Sequence, residues 1–303
     1  MIPKTTLGNT DLHISRLGYG AMELRDLEGE KSHPSSAVPG KLKDPKQAEQ
    51  ALNAALDAGI SFIDTAWAYG RSEEFIGRFI SHRREEYTLA TKAGHLYRGV
   101  SDQSSWTVEA VTTCLEQSLK RLNTDHVDLL QLHNPRPEEV DWEAMTNALE
   151  RFRSRGMLRY IGLSSGVPHI DKFLDLGIFD SIQVPYSALM PENARAIQRA
   201  KTMGVGVITR GTLGEGAPIA GDPSRALYKK LKSRWDNSCL PAMADNITEF
   251  LIRYSLTNPN VDVALFGSAN PDHITANAAS AEQSLLQGDV VEQVQSSVAE
   301  LMK

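Results

Sequence analysis

The order of apolar runs predicts an α/β fold: a (β/α)8 TIM barrel with an N-terminal β-hairpin and extra C-terminal helices, one domain over residues 1–303. Three observations carry this expectation. Short apolar runs alternate eight times with stretches of helical period, the pattern of a parallel sheet with helices outside it. No break in composition divides the 303 residues. An open doubly wound sheet, the competing architecture, would announce a phosphate site with GxGxxG after its first strand; Gly18-Tyr19-Gly20-Ala21-Met22-Glu23 lacks the third glycine.

The chain opens as a hairpin, Lys4-Thr5-Thr6-Leu7 and Leu12-His13-Ile14-Ser15 around the turn Gly8-Asn9-Thr10-Asp11. Leu17-Gly18-Tyr19-Gly20 is the first barrel strand. Residues 26–45 hold few apolar anchors and read as a surface loop. A helix over about 45–58 has apolar residues at Ala48, Ala51, Leu52, Ala55 and Leu56 and stops at Gly59. The strand–helix rhythm then repeats: strand 60–64, helix 72–81, strand 87–91, helix 107–122, strand 127–132, helix 142–155. The second half continues with strand 160–163, helix 170–176, strand 181–184, helix 192–203 and strand 205–208. After a longer insertion come helix 245–257, strand 261–266 and a terminal helix pair.

Composition excludes several classes of function. A net charge of −6 gives no support to binding of nucleic acid or an anionic membrane, which needs a basic face. No run approaches the ~20 apolar residues of a membrane helix, and the N-terminus turns polar too early for a signal peptide. Cys114 and Cys239 are far apart and lack metal-type spacing, so neither a disulfide framework nor a cysteine–zinc site is expected. A reduced cytoplasmic protein acting on a small molecule, without a metal, is the expectation.

In such a barrel the active site lies at the C-terminal ends of the strands. Asp64 ends the second barrel strand, Tyr69 lies in the loop after it, Lys92 ends the third and His133 ends the fourth. Singly, each has an ordinary reading: a turn-forming Asp, a rim Lys or Tyr, a structural His. Together at one end of one barrel they make a site for carbonyl chemistry. Reducing a ketone or aldehyde takes hydride at carbon and a proton for the developing alkoxide. A phenol is a poor proton donor or acceptor near neutral pH unless its surroundings favour phenolate. A lysine ammonium beside Tyr69 would do so, Asp64 would hold that ammonium, and His133 could orient the carbonyl oxygen.

These residues stand in motifs that resemble the aldo-keto reductase superfamily, over about Thr6 to Asn277. Gly59-Ile60-Ser61-Phe62-Ile63-Asp64-Thr65-Ala66, with Tyr69-Gly70, Ser72-Glu73 and Ile76-Gly77, is similar to its strongest signature. Thr91-Lys92, Val127-Asp128-Leu129-Leu130-Gln131-Leu132-His133 and Arg159-Tyr160-Ile161-Gly162-Leu163-Ser164 match the next three. The resemblance implies a catalytic tetrad of Asp64, Tyr69, Lys92 and His133, with Tyr69 as acid/base, and NADP(H) as cofactor.

It further implies that Ser164 and Gln183 hold the nicotinamide carboxamide and that Tyr186 stacks on its ring. Gly20 and Met22, after the first strand, complete that end of the cofactor site. The usual Ser-Asn pair is here Ser164-Ser165, so the second carboxamide contact is shorter. Thr209-Arg210-Gly211-Thr212-Leu213-Gly214-Glu215-Gly216 resembles the pyrophosphate loop, where Arg210, Gly211, Leu213 and Gly214 would meet phosphate; alone, the segment reads as a flexible glycine loop. Related proteins place Lys or Arg after the last strand for the 2′-phosphate of NADP. Here Gly267 and Ala269 occupy those positions, leaving Ser268, the helix N-terminus and His273 for phosphate and Asn277 for adenine. NAD(H) is therefore the second candidate.

Position along the loops nominates Met22, Trp67, Tyr97, Asn134 and Trp235 as pocket walls for a carbonyl or alcohol substrate. Trp67 draws most weight because it lies between two tetrad residues; Trp106 reads as a core residue at a helix start. Three rival readings stay open. One is a cofactor-binding sensor, as in the cytoplasmic beta subunits of potassium channels. The second is a lyase, isomerase or dehydratase using bound cofactor transiently. The third is a Schiff-base aldolase on Lys92, which would leave Asp64 and Tyr69 unexplained.

Overall fold

Eight short runs rich in Val, Ile and Leu cannot each bury two faces alone, and the chain solves this by closing them into one ring. The computed structural model describes residues 1–28, 42–94, 106–213, 228–229, 231–233 and 244–287. A two-stranded antiparallel sheet, β1 (Lys4–Thr6) and β2 (His13–Ser15), precedes the barrel. The barrel strands are β3 (Leu17–Gly20), β4 (Phe62–Asp64), β5 (Thr88–Ala93), β6 (Val127–His133), β7 (Leu158–Ser164), β8 (Ser181–Pro185), β9 (Gly206–Arg210) and β10 (Val263–Phe266). All neighbours are parallel, and β10 closes the ring by pairing with both β9 and β3.

Between the strands lie α1 (Pro45–Asp57), α2 (Ser72–Phe79), α3 (Val108–Leu122), α4 (Trp142–Ser154), α5 (Ile170–Leu174), α6 (Ala194–Thr202) and α7 (Ile247–Thr257), and α8 (Pro271–Glu282) follows β10. Several helix starts carry the expected chemistry. Asp44, Thr107, Asp141 and Asn246 each accept an N–H of the first turn of α1, α3, α4 and α7. Helix α6 starts two residues later than its apolar pattern implies. Asn193 is spent in the preceding loop, donating to the Pro185 carbonyl and accepting from Val167 N–H.

Side-chain alternation splits the core into two layers. Residues facing outward, such as Ile63, Leu130, Leu132, Ile161, Leu163, Ile182 and Val207, pack with the helices. Those facing inward, Phe62, Ala90, Leu129, Ile208, Val263 and Leu265, meet Leu7, Leu12 and Ile14 from the hairpin, which plugs the bottom of the barrel. The hairpin strands are thus shorter than their sequence suggests, because Leu7 and Leu12 turn under the barrel. Higher in the lumen the inward positions become polar. At Gly162 a methyl group would sit 2.9 Å from both the Gln131 side chain and the Ser181 hydroxyl, so only glycine leaves room there.

The bottom rim carries a repeated fastening. Ser15 and Ser61 each accept the other's backbone N–H at 2.9 Å, at the feet of β3 and β4. Asp128 accepts Leu89 N–H of β5 at 2.8 Å, Asp180 accepts Ile161 N–H of β7 at 2.8 Å, and Asp262 accepts Val207 N–H of β9 at 2.9 Å. Each carboxylate stands at the foot of the next strand and is paired with cations: Asp128 with Arg84 and Arg159, Asp180 with Arg153, Asp262 with Lys201.

The surface-loop expectation for 26–45 needs one correction. Leu42 is fully buried, and it exchanges backbone hydrogen bonds with Asp26 and Glu28, so the loop's base is anchored. Residues 29–41 lie outside the described residues, as does the second terminal helix within 288–303. Trp106 is core, packed against Gly94, where a methyl group would sit 2.2 Å from its ring. No helix among the described residues is long and apolar enough to cross a membrane.

Candidate active site

The inward parity of β4, β5 and β6 brings the predicted polar residues to the top of the apolar plug. Asp64, Lys92 and His133 are all buried, and all sit at or next to the C-terminal ends of their strands. Lys92 has three N–H donors, and each has a partner: Asp64 Oδ2 at 2.5 Å, the Thr65 carbonyl at 2.9 Å and Tyr69 Oη at 3.5 Å. The ammonium also lies 4.9 Å from the centre of the Tyr69 ring. The His133 ring stands edge-on to that of Tyr69, with centroids 5.8 Å apart. The four residues thus form one connected group, with the phenol half-exposed above a buried ion pair.

Asp64 is held from its other side by two amides. Gln183 Nε2 donates to Oδ1 at 2.8 Å and Gln131 Nε2 donates to the same oxygen at 3.0 Å. Gln131, within the Val127–His133 motif, is not among the residues that the sequence predicts for the site. The signal was present: it is a glutamine with the inward parity of His133, set in a leucine-rich strand.

Next along the ring, the Ser164 hydroxyl donates to Gln183 Oε1 at 3.5 Å, and Ser165 N–H donates to the Gln183 carbonyl. Asn134 follows His133 with φ of 53°, a left-handed conformation that asparagine tolerates, and its N–H bonds the Ser164 carbonyl. Tyr186 is buried and stacked on Tyr254, while its N–H bonds the Arg210 carbonyl at the end of β9. Beyond Arg210, Gly211 takes φ of 73°. The buried Thr212 hydroxyl has no hydrogen-bond partner among the described residues, and Leu213 is half-buried beside it.

At the β3–β10 seam, Gly20 leads into a 3-10 turn that carries half-buried Met22. The Tyr19 hydroxyl donates to the Ser268 carbonyl at 2.6 Å; burial, aided by the Glu23 carboxylate, pushes this phenol well above its ordinary range, so it remains a donor. Gly267 and His273 are exposed, and Asn277 is buried one turn after His273 on α8. Tyr97, Gly214 and Trp235 lie outside the described residues.

Trp67 is placed differently from its sequence expectation. Thr65 and Trp67 donate their N–H groups to Ala90 and Lys92, prolonging the β4–β5 ladder. Trp67 therefore has the parity of Ile63, towards the helices, and not that of Asp64. Its indole N–H donates to Gln117 of α3 at 2.9 Å, and the Arg121 guanidinium lies 5.6 Å from the ring centre. Arg121 also bonds the Trp67 carbonyl and the buried Glu73, which accepts from Thr91 next to Lys92. Lying between Asp64 and Tyr69 in sequence did not bring the indole to the lumen; Trp67 fastens the loop after β4 to α3.

The donor set fits a nicotinamide dinucleotide. Ser164 and Gln183 offer hydroxyl and amide groups at the lumen floor, and the glycine turn with the unpartnered Thr212 hydroxyl suits a phosphate. Among the described residues there is no group of three or more His, Cys, Asp or Glu side chains that could hold a metal ion.

Comparison with known proteins agrees with this geometry. The model of the Aldo/keto reductase family matches residues 16–299. The chain is 26% identical to the oxidoreductase YqkF of Bacillus subtilis over 97% of this chain and 95% of that protein. It is also 26% identical to L-galactose dehydrogenase of Arabidopsis thaliana, over 90% of this chain and 86% of that one. Among solved structures, the holo form of the aldo-keto reductase AKR11C1 from Bacillus halodurans superposes with a TM-score of 0.78 at 25% identity, covering 98% of this chain and 96% of that one. With the closed barrel and the polar group at its top already in place, these matches mean that the chain belongs to the aldo/keto reductase family and is an oxidoreductase of that family.

Proposed function

We propose that this enzyme uses NADP(H), and NAD(H) as a second cofactor, to interconvert a small carbonyl compound and its alcohol, with Tyr69 as the general acid/base. The observation that carries the reading is the buried Lys92 ammonium, shared between Asp64 at 2.5 Å and the Tyr69 hydroxyl at 3.5 Å. When bound, the nicotinamide supplies or accepts the hydride. The protein's own work is on the oxygen. In the reducing direction Tyr69 Oη gives its proton to the carbonyl oxygen as negative charge develops there. Lys92 offsets the charge left on the phenol, in a site where burial strengthens the interaction. His133, edge-on to Tyr69, orients the oxygen, and Asp64 balances the ammonium.

Ser164 and Gln183 hold the carboxamide, with Ser165 and Tyr186 beside them. Arg210, Gly211, Leu213 and Gly214 receive the pyrophosphate, and Gly20 and Met22 border the ring. Ser268, His273 and Asn277 line the adenosine end, where Gly267 offers no cation to a 2′-phosphate. Met22 and Asn134 border the substrate, joined by Tyr97 and Trp235. A relative named for L-galactose dehydrogenation supports a sugar-like substrate, with other aldehydes and ketones as candidates.

Fluorescence titration with NADPH and NADH, followed by turnover on a panel of aldehydes, ketones and sugars, tests the proposal. The expected result is binding of both cofactors within about tenfold of each other, the margin that a missing charge-assisted contact leaves, and turnover of at least one panel member. Binding without turnover would favour a sensor, and failure to bind either cofactor would overturn the reading.

A further inference from the structure

The amide of Gln183 is bonded at both ends, and the two ends face different machinery. Nε2 donates to Asp64 Oδ1 at 2.8 Å, reaching across the lumen from β8 to β4, while Oε1 accepts from Ser164 at 3.5 Å. An amide side chain is pseudo-symmetric in shape, and its terminal torsion has broad, two-fold wells. Which end points where is decided by its partners. Asp64 is bonded to Lys92 through Oδ2, and an ionised carboxylate only accepts hydrogen bonds. It can therefore hold Gln183 in one orientation alone: Nε2 towards the tetrad and Oε1 towards Ser164. Gln131 donates to the same Asp64 oxygen from β6 and keeps the carboxylate in place.

We propose that Gln183 is a positioning residue as well as a cofactor ligand, and that Asp64 sets which end of its amide meets the nicotinamide carboxamide. This rests on the reading of the barrel mouth as a nicotinamide site. A carboxamide presents an NH2 donor and a C=O acceptor, so it discriminates between the two ends of Gln183. With Oε1 presented, the amide accepts from the ligand's NH2, and Ser164 is left for its carbonyl. The tetrad carboxylate thereby acts on cofactor affinity without touching the cofactor. Linkage then requires the converse: bound cofactor steadies Gln183 on Asp64, and so steadies the ion pair with Lys92.

The test is a double-mutant cycle on cofactor affinity, read by fluorescence titration with no substrate present. NADPH is the probe, because its reduced ring is uncharged and loss of the Asp64 charge does not act on it directly. Asp64→Asn is nearly isosteric. Its carbonyl oxygen turns to the Lys92 ammonium, leaving its NH2 facing Gln183 and favouring the reversed amide. Asp64→Asn and Gln183→Met are each expected to weaken NADPH by up to about tenfold, the upper scale of one neutral hydrogen bond. The double variant should be no weaker than Gln183→Met alone. Unchanged affinity in Asp64→Asn, or equal effects of Asp64→Asn with and without Gln183, would overturn the proposal. Thermal melting shows that each variant is folded at the assay temperature, and Asp64→Ala replaces Asp64→Asn in the cycle if that variant is not. Failure of the unmodified protein to bind NADPH would instead sink the nicotinamide reading itself.

Discussion

Lys92 reaches the top of the lumen on a buried stem, and the groups around it leave its ammonium no idle donor. Of these residues, Tyr69 is the one that is not fully buried. Tyr69→Phe keeps the ring against His133 and removes only the oxygen. On the proposed mechanism it should slow the hydride-transfer step by a factor of ~100 or more while NADPH affinity stays nearly unchanged. Single-turnover kinetics beside a cofactor titration checks both halves; parallel loss of binding and rate would mean that Tyr69 shapes the site. At this scale the meeting of Asp64, Tyr69, Lys92 and His133 was legible because three of them stand at or next to strand ends and Tyr69 follows β4 by a short loop. Trp67 and Gln131 were misjudged or missed because sequence proximity stood in for parity. Counting in twos from Asp64 turns Trp67 outward, and counting in twos back from His133 turns Gln131 inward.

Strands in a parallel pair owe their register partly to what happens at their feet, and here the feet differ in electrostatic character. Burial opposes ionisation of Asp128, but Arg84, Leu89 N–H and Arg159 outweigh it and hold the carboxyl below its usual range. For Asp180 burial prevails over Ile161 N–H and Arg153, and the carboxyl is pushed up. The signs for stability are opposite. Asp128 contributes stability above the ordinary carboxylate pKa, and that contribution is lost as pH falls through its depressed folded value. Asp180 binds its proton more tightly folded than unfolded, so its ionisation weakens the fold as pH rises through the raised value. At neutral pH Asp128→Asn should therefore cost about 2–3 kcal/mol, since it takes from Arg84 its carboxylate partner while Arg159 keeps Asp11, and Asp180→Asn should cost clearly less. Denaturant unfolding at neutral pH and again in acid checks this, with the gap between the variants expected to shrink in acid. An equal cost at both sites would contradict the assignment. The strands and helices themselves were legible from periodicity, whereas the late start of α6 was not, because Asn193 serves a loop contact that periodicity does not register.

For the whole molecule, alternation of elements sufficed to predict closure, since eight parallel strands with helices outside leave no edge once β10 meets β3. The hairpin's role as a plug was not legible, because Leu7 and Leu12 look like ordinary strand ends until the barrel above them exists. The fastenings at the bottom rim group the strands by twos: β3 with β4, β5 with β6, β7 with β8, β9 with β10. In modular terms the barrel is four quarters, each with its own latch. A cut at the exposed turn of Gly156, between β6 and β7, falls between quarters and leaves all four backbone latches inside one fragment or the other, while the Arg159–Asp128, Arg159–Asp11 and Arg153–Asp180 bridges then run between the fragments. A cut at the equally exposed turn of Gly177, between β7 and β8, divides the Ile161–Asp180 latch. Two halves co-expressed from the first cut should reassemble into a cofactor-binding barrel in higher yield than halves from the second, as co-purification and NADPH binding would measure. Asp64, Tyr69, Lys92 and His133, the proposed tetrad, all fall in the first half of such a split enzyme, while Ser164 and Gln183 fall in the second. The proposed acid–base group and most of the proposed cofactor contacts would then sit on separable pieces of one chain, joined across the seam by the Gln183–Asp64 bond, and mixing halves from different relatives would become a way to exchange cofactor preference while keeping that bond as the point of contact.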